Sequence, residues 1–249
     1  MIVAGRDPAN HDGSRDASSG DDAIHAHGSF FGRRKGHRLR AHQADLIEHL
    51  LPRLSLDIGV PSPSDLTALF DPPADDVRLE IGFGGGEHLV AQAQAHPEWG
   101  FIGCEPFVNG MAKALAAIEA QSIHNIRLHH ADAVDLLDWL PENSLRRVDL
   151  LYPDPWPKRR HWKRRFVNAA NIARLARLLR PGGEFRFATD WANYAEWTLL
   201  RVLRSRVFTW TAERADDWRK PWPGFGGTRY EAKAKREGRA PAYLTFRRN

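Results

Sequence analysis

The chain alternates between short apolar runs and stretches in which apolar residues recur every three or four positions. The apolar runs predict five strands, at 77–82, 99–104, 125–130, 148–152 and 184–189. Between the strands the spacing is helical, as in Met111, Ala114, Leu115 and Ile118, which fall on one helix face. Repeated strand–helix units predict an α/β fold, with a mostly parallel sheet and helices on both of its faces.

The same periodicity predicts further helices at 41–51, 87–96, 133–140, 172–179 and 195–202, and two last strands at 207–211 and 242–247. Proline and glycine are expected to end two of the helices, at Pro52 and at Pro181-Gly182-Gly183. Ligands of such sheets bind beyond the carboxyl ends of the strands. The residues directly after each strand are therefore the candidates for function.

Composition limits the class of protein. The 249 residues, 42% of them hydrophobic, suit one α/β domain with a sizeable core. No apolar run approaches the roughly 18–20 residues of a membrane span, so we expect no membrane association and a cytoplasmic protein. The single cysteine, Cys104, excludes an internal disulfide and is expected to be a buried, inert thiol.

The net charge of +5 is unevenly distributed. Residues 1–28 carry five aspartates against two arginines, a net −3, which leaves +8 for the rest of the chain. This first segment lacks an apolar run and is expected to be a disordered acidic tail. Residues 29–249 are expected to form one domain that begins with a basic arm at 30–38. A basic domain suits a polyanionic partner without identifying it.

A glycine-rich turn, Gly82-Phe83-Gly84-Gly85-Gly86, follows the first strand and lies between Glu80 and Glu87. Glycines let a backbone turn tightly and approach a ligand, so Gly82 and Gly84 are candidate cofactor contacts. A dinucleotide fingerprint that starts at Gly82 needs a third glycine where this chain has Glu87. A carboxylate there opposes a pyrophosphate but suits S-adenosylmethionine, which carries a sulfonium and an ammonium cation. Glu80 is a candidate contact for the same reason.

Two further acids follow the next two strands. Glu105 closes the second strand, where a carboxylate can accept hydrogen bonds from both ribose hydroxyls. This does not separate NAD from S-adenosylmethionine, because both contain adenosine. Asp132 follows the third strand and is positioned to accept from an adenine amino group. A single acid at such a place is most often a helix cap, but several beside one glycine turn favour a nucleoside cofactor.

The most specific segment is Tyr152-Pro153-Asp154-Pro155-Trp156-Pro157-Lys158. Its prolines fix the backbone around Asp154 at the end of the fourth strand. The segment places an acid and an aromatic ring where cofactor and substrate should meet, as a similar loop does in amino methyltransferases. Asp154 is therefore the candidate catalytic residue. No metal is expected.

A basic run follows directly. Six of the eight residues 158–165 are permanent cations. Such a run is usually a solvated face. Here it adjoins Asp154 and contains a tryptophan, which favours phosphate binding beside a stacking surface.

Taken together, these motifs closely resemble those of bacterial tRNA (guanine-N7-)-methyltransferases. The shared segments lie at 79–87, 103–106, 131–133, 152–165, 188–190 and 228–231. The resemblance runs from about Ser29 to Arg248 and leaves out the acidic tail.

The resemblance implies a Rossmann-like class I methyltransferase with seven strands, the last of them antiparallel. It implies cofactor contacts by Glu80, Glu105, Asp132 and Asp154. It implies RNA contacts by Arg160, His161, Trp162, Lys163, Arg164 and Arg165. It implies substrate contacts by Lys158, Asp190, Thr228, Arg229, Tyr230 and Glu231. The implied reaction transfers a methyl group from S-adenosylmethionine to N-7 of a variable-loop guanosine, position forty-six, in tRNA.

Three alternatives remain. An NAD-dependent oxidoreductase is opposed by Glu87 and by the lack of a recognisable Tyr-Lys or His catalytic pair. An RNA-binding protein without catalysis is opposed by Asp154 and the glycine turn. A methyltransferase with another RNA target is not separated by sequence. The oligomeric state is not determined either. We expect a monomer or homodimer without an obligatory protein partner.

Overall fold

A computed structural model describes Gly32 and residues 34–249. The acidic tail predicted at 1–28 lies outside the described residues. The strands are β1 (Asp76–Ile81), β2 (Trp99–Cys104), β3 (Ile126–His129), β4 (Leu145–Leu151), β5 (Leu179–Thr189), β6 (Phe208–Trp210) and β7 (Ala242–Arg248). The helices are α1 (Ala41–His49), α2 (Leu51–Leu54), α3 (Glu87–Ala95), α4 (Val108–Ala120), α5 (Ala133–Trp139), α6 (Ala169–Leu178), α7 (Ala192–Arg204), α8 (Asp216–Arg219) and α9 (Arg229–Arg236), with 3-10 turns at Leu66–Leu69 and Arg159–Arg164.

The seven strands form one sheet in the order β3-β2-β1-β4-β5-β7-β6. The first five run parallel, while β7 is antiparallel to both β5 and β6. This confirms the predicted seven-stranded, mostly parallel sheet with an antiparallel last strand. The order reverses between β1 and β4, so the carboxyl ends of these strands border the crevice in which such folds bind ligands.

Two hydrophobic clusters cover the two faces of the sheet. Alternate residues of β1, such as Leu79, pack with α5, α6 and α7 on one face. On the other face, Phe101 of β2 packs with α3 and α4. The prediction of helices on both faces is therefore confirmed. Cys104 is buried, and burial raises the pKa of its thiol well above the ordinary value, as expected of an inert cysteine.

Two helices end close to their predicted positions, at His49 and Leu178, but the prediction that Pro52 and Pro181-Gly182-Gly183 end them is wrong. Pro52 lies in the first turn of α2, where its missing N–H costs no hydrogen bond. The Pro181-Gly182-Gly183 segment lies inside β5, which already begins at Leu179. A register shift between Leu145 and Arg147 of the neighbouring β4 accommodates this irregular start.

The described part of the basic arm, residues 34–38, lies against the start of α4. The Gly36 amide donates to Asn109 Oδ1 at 2.7 Å, and Asn109 Nδ2 donates to the His37 carbonyl at 2.7 Å. The arm is thus fixed to the folded domain. No helix in the described part of the chain is long and apolar enough to cross a membrane.

Candidate active site

A cavity of about 460 Å³ opens at the carboxyl ends of the central strands. Its walls include the glycine turn after β1 and the acids after β2, β3 and β4, namely Gly82, Gly84, Glu105, Asp132 and Asp154. Lys163 and Arg164 of the basic run and Gly32 of the arm line the same cavity. The topology therefore gathers four separate sequence motifs around one space with an acidic side and a basic side.

Glu105 joins the end of β2 to the glycine turn. Gly84 has a φ of +60°, and its N–H donates to Glu105 Oε2 at 2.7 Å. The Phe107 N–H donates to Oε1 at 2.9 Å. Burial raises the pKa of Glu105 although both amides favour its charged form. Each carboxylate oxygen can accept more than one hydrogen bond, so Glu105 retains acceptor capacity toward a ligand.

Gly110 of α4 belongs to the site but was not predicted from the sequence. A Cβ at this position would lie 2.3 Å from the Gly84 carbonyl oxygen, so only glycine lets α4 approach the glycine turn this closely. The available signal was a glycine inside an amphipathic helix, where it costs about 1 kcal/mol relative to alanine and so suggests a packing reason.

Asp132 acts as a helix cap and also lines the cavity. Its Oδ1 accepts from the Val134 N–H at 3.0 Å at the start of α5. The capping role that the residue type suggests is therefore present beside the predicted position at the cavity wall.

Glu80 does not lie among the cavity-lining residues. It faces α3, where its Oε2 lies 2.8 Å from His88 Nδ1, and both side chains are buried. Burial lowers the pKa of His88, but the Glu80 carboxylate outweighs this and leaves that pKa raised. Neighbouring strand residues point to opposite faces, which explains why Ile81 lines the cavity while Glu80 pairs with His88.

The loop that carries Asp154 has an unusual backbone. Tyr152 and Trp156 have φ values of +50° and +44°, a region that bulky residues rarely adopt. The Tyr152 N–H donates to the Ala188 carbonyl at 2.8 Å and holds the loop to β5. Asp154 is accessible from the open space of the cavity. The cavity walls still remove part of its hydration, and this raises the pKa of its carboxyl.

The cations of the basic run divide into two groups. Lys158, Arg159, Arg160 and Lys163 are exposed. Arg165 is only 2% exposed; its Nε donates to the Pro155 carbonyl at 2.9 Å, and a terminal nitrogen donates to Asn193 at 2.8 Å. The rings of Trp162, Tyr194 and Trp197 surround its guanidinium at 4.7–5.0 Å. Arg165 therefore holds the Asp154 loop from inside.

The aromatic rings of this region also divide. Trp162 is partly buried against Trp197, with 5.4 Å between ring centroids. Trp156 lines the cavity, with the Arg164 guanidinium 5.0 Å from its ring. His161 contacts the Trp156 ring edge-on at 5.9 Å. Trp156 thus lies where the 152–158 segment was predicted to present an aromatic ring, whereas Trp162, predicted as a stacking surface for RNA, does not line the cavity.

The segment 228–231 begins α9, a helix that was not predicted from the sequence. Thr228 caps this helix by accepting from the Glu231 N–H at 3.1 Å. Arg229 and Tyr230 lie over the glycine turn, since a Cβ on Gly84 would be 3.1 Å and 3.3 Å from their side chains. Tyr230 also lines the cavity.

Two predicted substrate carboxylates already have protein partners. Glu231 is buried, accepts from the Tyr243 hydroxyl at 2.6 Å and forms an ion pair with Lys235. Asp190 accepts from Arg239 Nε at 2.6 Å. Lys158 is exposed and does not line the cavity. Of the six predicted substrate contacts, Tyr230 alone is among the cavity-lining residues in the described part of the chain. Within that part, no group of three or more His, Cys, Asp or Glu residues is arranged to hold a metal ion.

Comparison with known proteins relates this site to methyltransferases. A family model described as putative methyltransferase matches residues 74–243. A tRNA (guanine-N(7)-)-methyltransferase of Rhodopseudomonas palustris is 65% identical, over 92% of this chain and 86% of that protein. One of the same name from Nitrobacter hamburgensis is 61% identical, over 100% of this chain and 97% of that protein. Among solved structures, the 16S rRNA methyltransferase KamB superposes with a TM-score of 0.54 at 19% identity, over 76% of this chain and 95% of that one, and so shares the fold.

Proposed function

This chain belongs to the tRNA (guanine-N(7)-)-methyltransferase family, and on that premise we propose that it transfers the methyl group of S-adenosylmethionine to N-7 of guanosine forty-six in tRNA. The observation that carries the proposal is the single cavity in which Glu105 and Asp132 face Asp154, Trp156 and the basic run. The acidic side of the cavity suits a cationic nucleoside cofactor, and the basic side suits a nucleobase of an RNA. A tRNA substrate implies that the enzyme works in the cytoplasm.

The residues of the acidic side fit S-adenosylmethionine. Glu105 and Asp132 keep acceptor capacity for ribose hydroxyls and an adenine amino group, while Gly82 and Gly84 remove side chains from the turn beside them. This side offers carboxylates, which match the cationic groups of the cofactor. When bound, S-adenosylmethionine supplies an electrophilic methyl group.

Asp154 is proposed to orient the guanine rather than to remove a proton. Guanine N-7 carries a free lone pair, so the reaction needs alignment and exclusion of water more than a base. The Asp154 carboxylate can accept from the N-1 and exocyclic amino hydrogens of guanine. Its negative charge also stabilises the positive charge that develops on the purine. The desolvated position of Asp154 strengthens this electrostatic effect.

The aromatic and basic residues are proposed to hold the rest of the RNA. Trp156 lines the cavity and offers a face on which a base that has left its tRNA contacts can stack. Arg160, Lys163 and Lys158 are exposed and can reach phosphates, with His161 and Arg164 beside them. Arg165 and Trp162 act indirectly, by holding the loop that carries Asp154 in place.

The start of α9 is proposed to close over the cofactor end of the cavity. Arg229 and Tyr230 lie against the glycine turn, and Arg229 Nε is 3.7 Å from Glu87. Thr228 positions both residues through its cap. Asp190 and Glu231 already hold Arg239 and Tyr243, so we assign them first to positioning this region.

Radiolabelled methyl transfer to an unmodified tRNA transcript tests the proposal. Nucleoside analysis should find the label in 7-methylguanosine. A matched transcript with adenosine at position forty-six should take up no label. Label in another nucleoside, or equal labelling of both transcripts, would assign the enzyme a different target. No transfer to any tRNA would remove the proposed activity.

A further inference from the structure

The sheet face beneath α3 carries an unusual row of charges. Arginine and acid alternate along three neighbouring strands, as Arg78 and Glu80 in β1, Arg147 and Asp149 in β4, and Glu184 and Arg186 in β5. The register places Arg78 beside Arg147, and Arg147 beside Glu184. Residues two apart on a strand share a face, so these six side chains form one charged surface inside the fold.

Most of these charges have a partner. Arg147 Nε donates to Asp149 at 2.9 Å, and a terminal nitrogen donates to Gln92 at 3.0 Å. Arg186 Nε donates to Glu184 at 3.0 Å and lies over the Trp222 ring. Two of the three arginines are thereby neutralised inside the row.

Arg78 is the exception. It is 7% exposed, and its guanidinium lies 3.5 Å from the centroid of Trp99. A terminal nitrogen of Arg78 lies 3.5 Å from Oε1 of Gln92 in α3, and its Nε is buried without a hydrogen-bond partner among the described residues. The acid two positions along, Glu80, is paired with His88. Asp149 and Asp76 favour the charged form of Arg78, but among the described residues neither forms an ion pair with it. A buried guanidinium with an unmet donor is costly, so such a group calls for a ligand.

A second cavity, of about 170 Å³, adjoins Arg78 toward the amino ends of the strands, away from the active site. It is lined by Arg78, Arg146, Arg147, Gly182, Glu184 and Arg186. Four guanidinium groups thus face a small space to which Glu184 contributes the one carboxylate of the lining. Burial and the neighbouring Arg147 lower the pKa of Arg78 to about 9, although Asp149 and Asp76 act in the opposite direction.

We propose that this arginine cavity binds a free tetrahedral oxyanion of the phosphate class. Guanidinium groups present several N–H donors in a planar fork that matches the oxygens of such anions. The anion would supply the missing acceptor for Arg78. Arg147 and Arg186, which are paired inside the row, and Arg146, which pairs with Asp76 at 3.5 Å, would add further donors. Gly182, with a φ of +77° and open space where a Cβ would stand, leaves room on one side.

Calorimetric titration with inorganic phosphate at constant ionic strength tests the site. The variant Arg78→Met keeps an aliphatic chain against Trp99 and removes the cation, so phosphate should bind at least roughly tenfold more weakly. The exposed Arg146→Gln variant removes one ion pair of Asp76, which keeps Arg180 as a partner, and should lose phosphate affinity to a smaller extent. Arg53→Gln, an exposed arginine of α2 that lines neither cavity, is the matched control and should bind phosphate as the parent does.

Thermal unfolding gives a second readout. Above the Kd, each tenfold increase in phosphate should raise the Tm of the parent by about 3–6 °C. In phosphate-free buffer Arg78→Met should be at least as stable as the parent, because an unpaired buried charge has gone. If it does not fold, Arg146→Gln decides by its weaker phosphate binding.

Two results would overturn the proposal. One is equal phosphate affinity in the parent, in Arg78→Met and in Arg146→Gln. The other is loss of the Arg78-dependent phosphate binding when saturating tRNA is present, since this would mean that an RNA phosphate occupies the cavity. Unchanged binding in the presence of tRNA supports a site for a free anion.

Discussion

Arg165 Nε donates a 2.9 Å hydrogen bond to the carbonyl oxygen of Pro155, the residue that follows Asp154. The bond ties the last residue of the basic run to the loop that carries the candidate catalytic acid. Trp156 in that loop has a positive φ, so the conformation depends on contacts from outside the loop. Arg165 is therefore a positioning residue for Asp154.

Replacement of Arg165 should separate positioning from RNA binding. Arg165→Met leaves the Pro155 and Asn193 oxygens without their donors. The free energy of unfolding should fall by about 1–3 kcal/mol, and the methylation rate should fall as well. The salt dependence of tRNA affinity should stay as in the parent. The matched variant Arg160→Met should keep the parental Tm, while its slope of log affinity against log salt falls by about 0.7–0.9. If the slope of log tRNA affinity against log salt also fell in Arg165→Met, Arg165 would have to be counted among the phosphate contacts.

Asp154→Asn should lower kcat by about 10²–10³, the scale for losing one electrostatic contact to the transition state. The raised pKa of Asp154 means that kcat/KM of the parent should fall as pH drops through a value above the ordinary aspartate range. The asparagine variant should lack this acid limb in a pH profile of single-turnover rates. Retention of the limb would assign it to another group.

The same pKa shift has a consequence for stability. A carboxyl whose pKa is raised in the folded state holds its proton where the unfolded chain has released it. Its contribution to stability therefore declines as pH rises from the unfolded to the folded pKa. Urea unfolding of Asp154→Asn should lack this decline.

Asp154→Asn should also change the preference for guanosine. Inosine at the target position removes the exocyclic amino group and leaves N-7 intact. The parent should lose rate on inosine, whereas the variant should lose much less. Equal losses would show that Asp154 does not contact that edge of the base.

Glu80 and His88 should control stability rather than cofactor binding. The pKa of His88 is raised, so the stabilisation by its charged form is complete below about pH 6.5 and is lost as pH rises through the folded value. Glu80→Gln should remove this pH dependence from urea unfolding and leave S-adenosylmethionine affinity nearly unchanged. Glu105→Gln, the comparison variant, should weaken that affinity by about 1–3 kcal/mol. A similar loss in Glu80→Gln would return Glu80 to the cofactor contacts.

Gly110→Ala should disturb the cofactor end of the cavity. The new methyl group would overlap the Gly84 carbonyl, so the glycine turn must shift, at a cost of about 1–3 kcal/mol. We expect a lower Tm and weaker S-adenosylmethionine binding by calorimetry. Gly226→Ala, where a Cβ would meet nothing within 4 Å, should change neither. Parental binding by Gly110→Ala would mean that the turn and α4 separate without consequence.

The sequence by itself determined the sheet and the place of the site. Apolar runs and helical spacing are local patterns, and they located the first five strands to within a few residues. Parallel strands bring their carboxyl ends to one edge. The positions of Glu105, Asp132 and Asp154 directly after three of them therefore sufficed to predict that they line one cavity. The short helices α8 and α9 lacked such an apolar pattern and went unpredicted.

Only the tertiary structure decided what each charge does. The sequence presents Arg160 and Arg165 as equivalent cations, but packing exposes the first and buries the second among Trp162, Tyr194 and Trp197. Residues distant in the chain supply partners to Asp190 and Glu231, and the approach of α4 explains Gly110. The physical reason is that burial and ion pairing depend on distances between separate elements, whereas periodicity records only how each element meets the core.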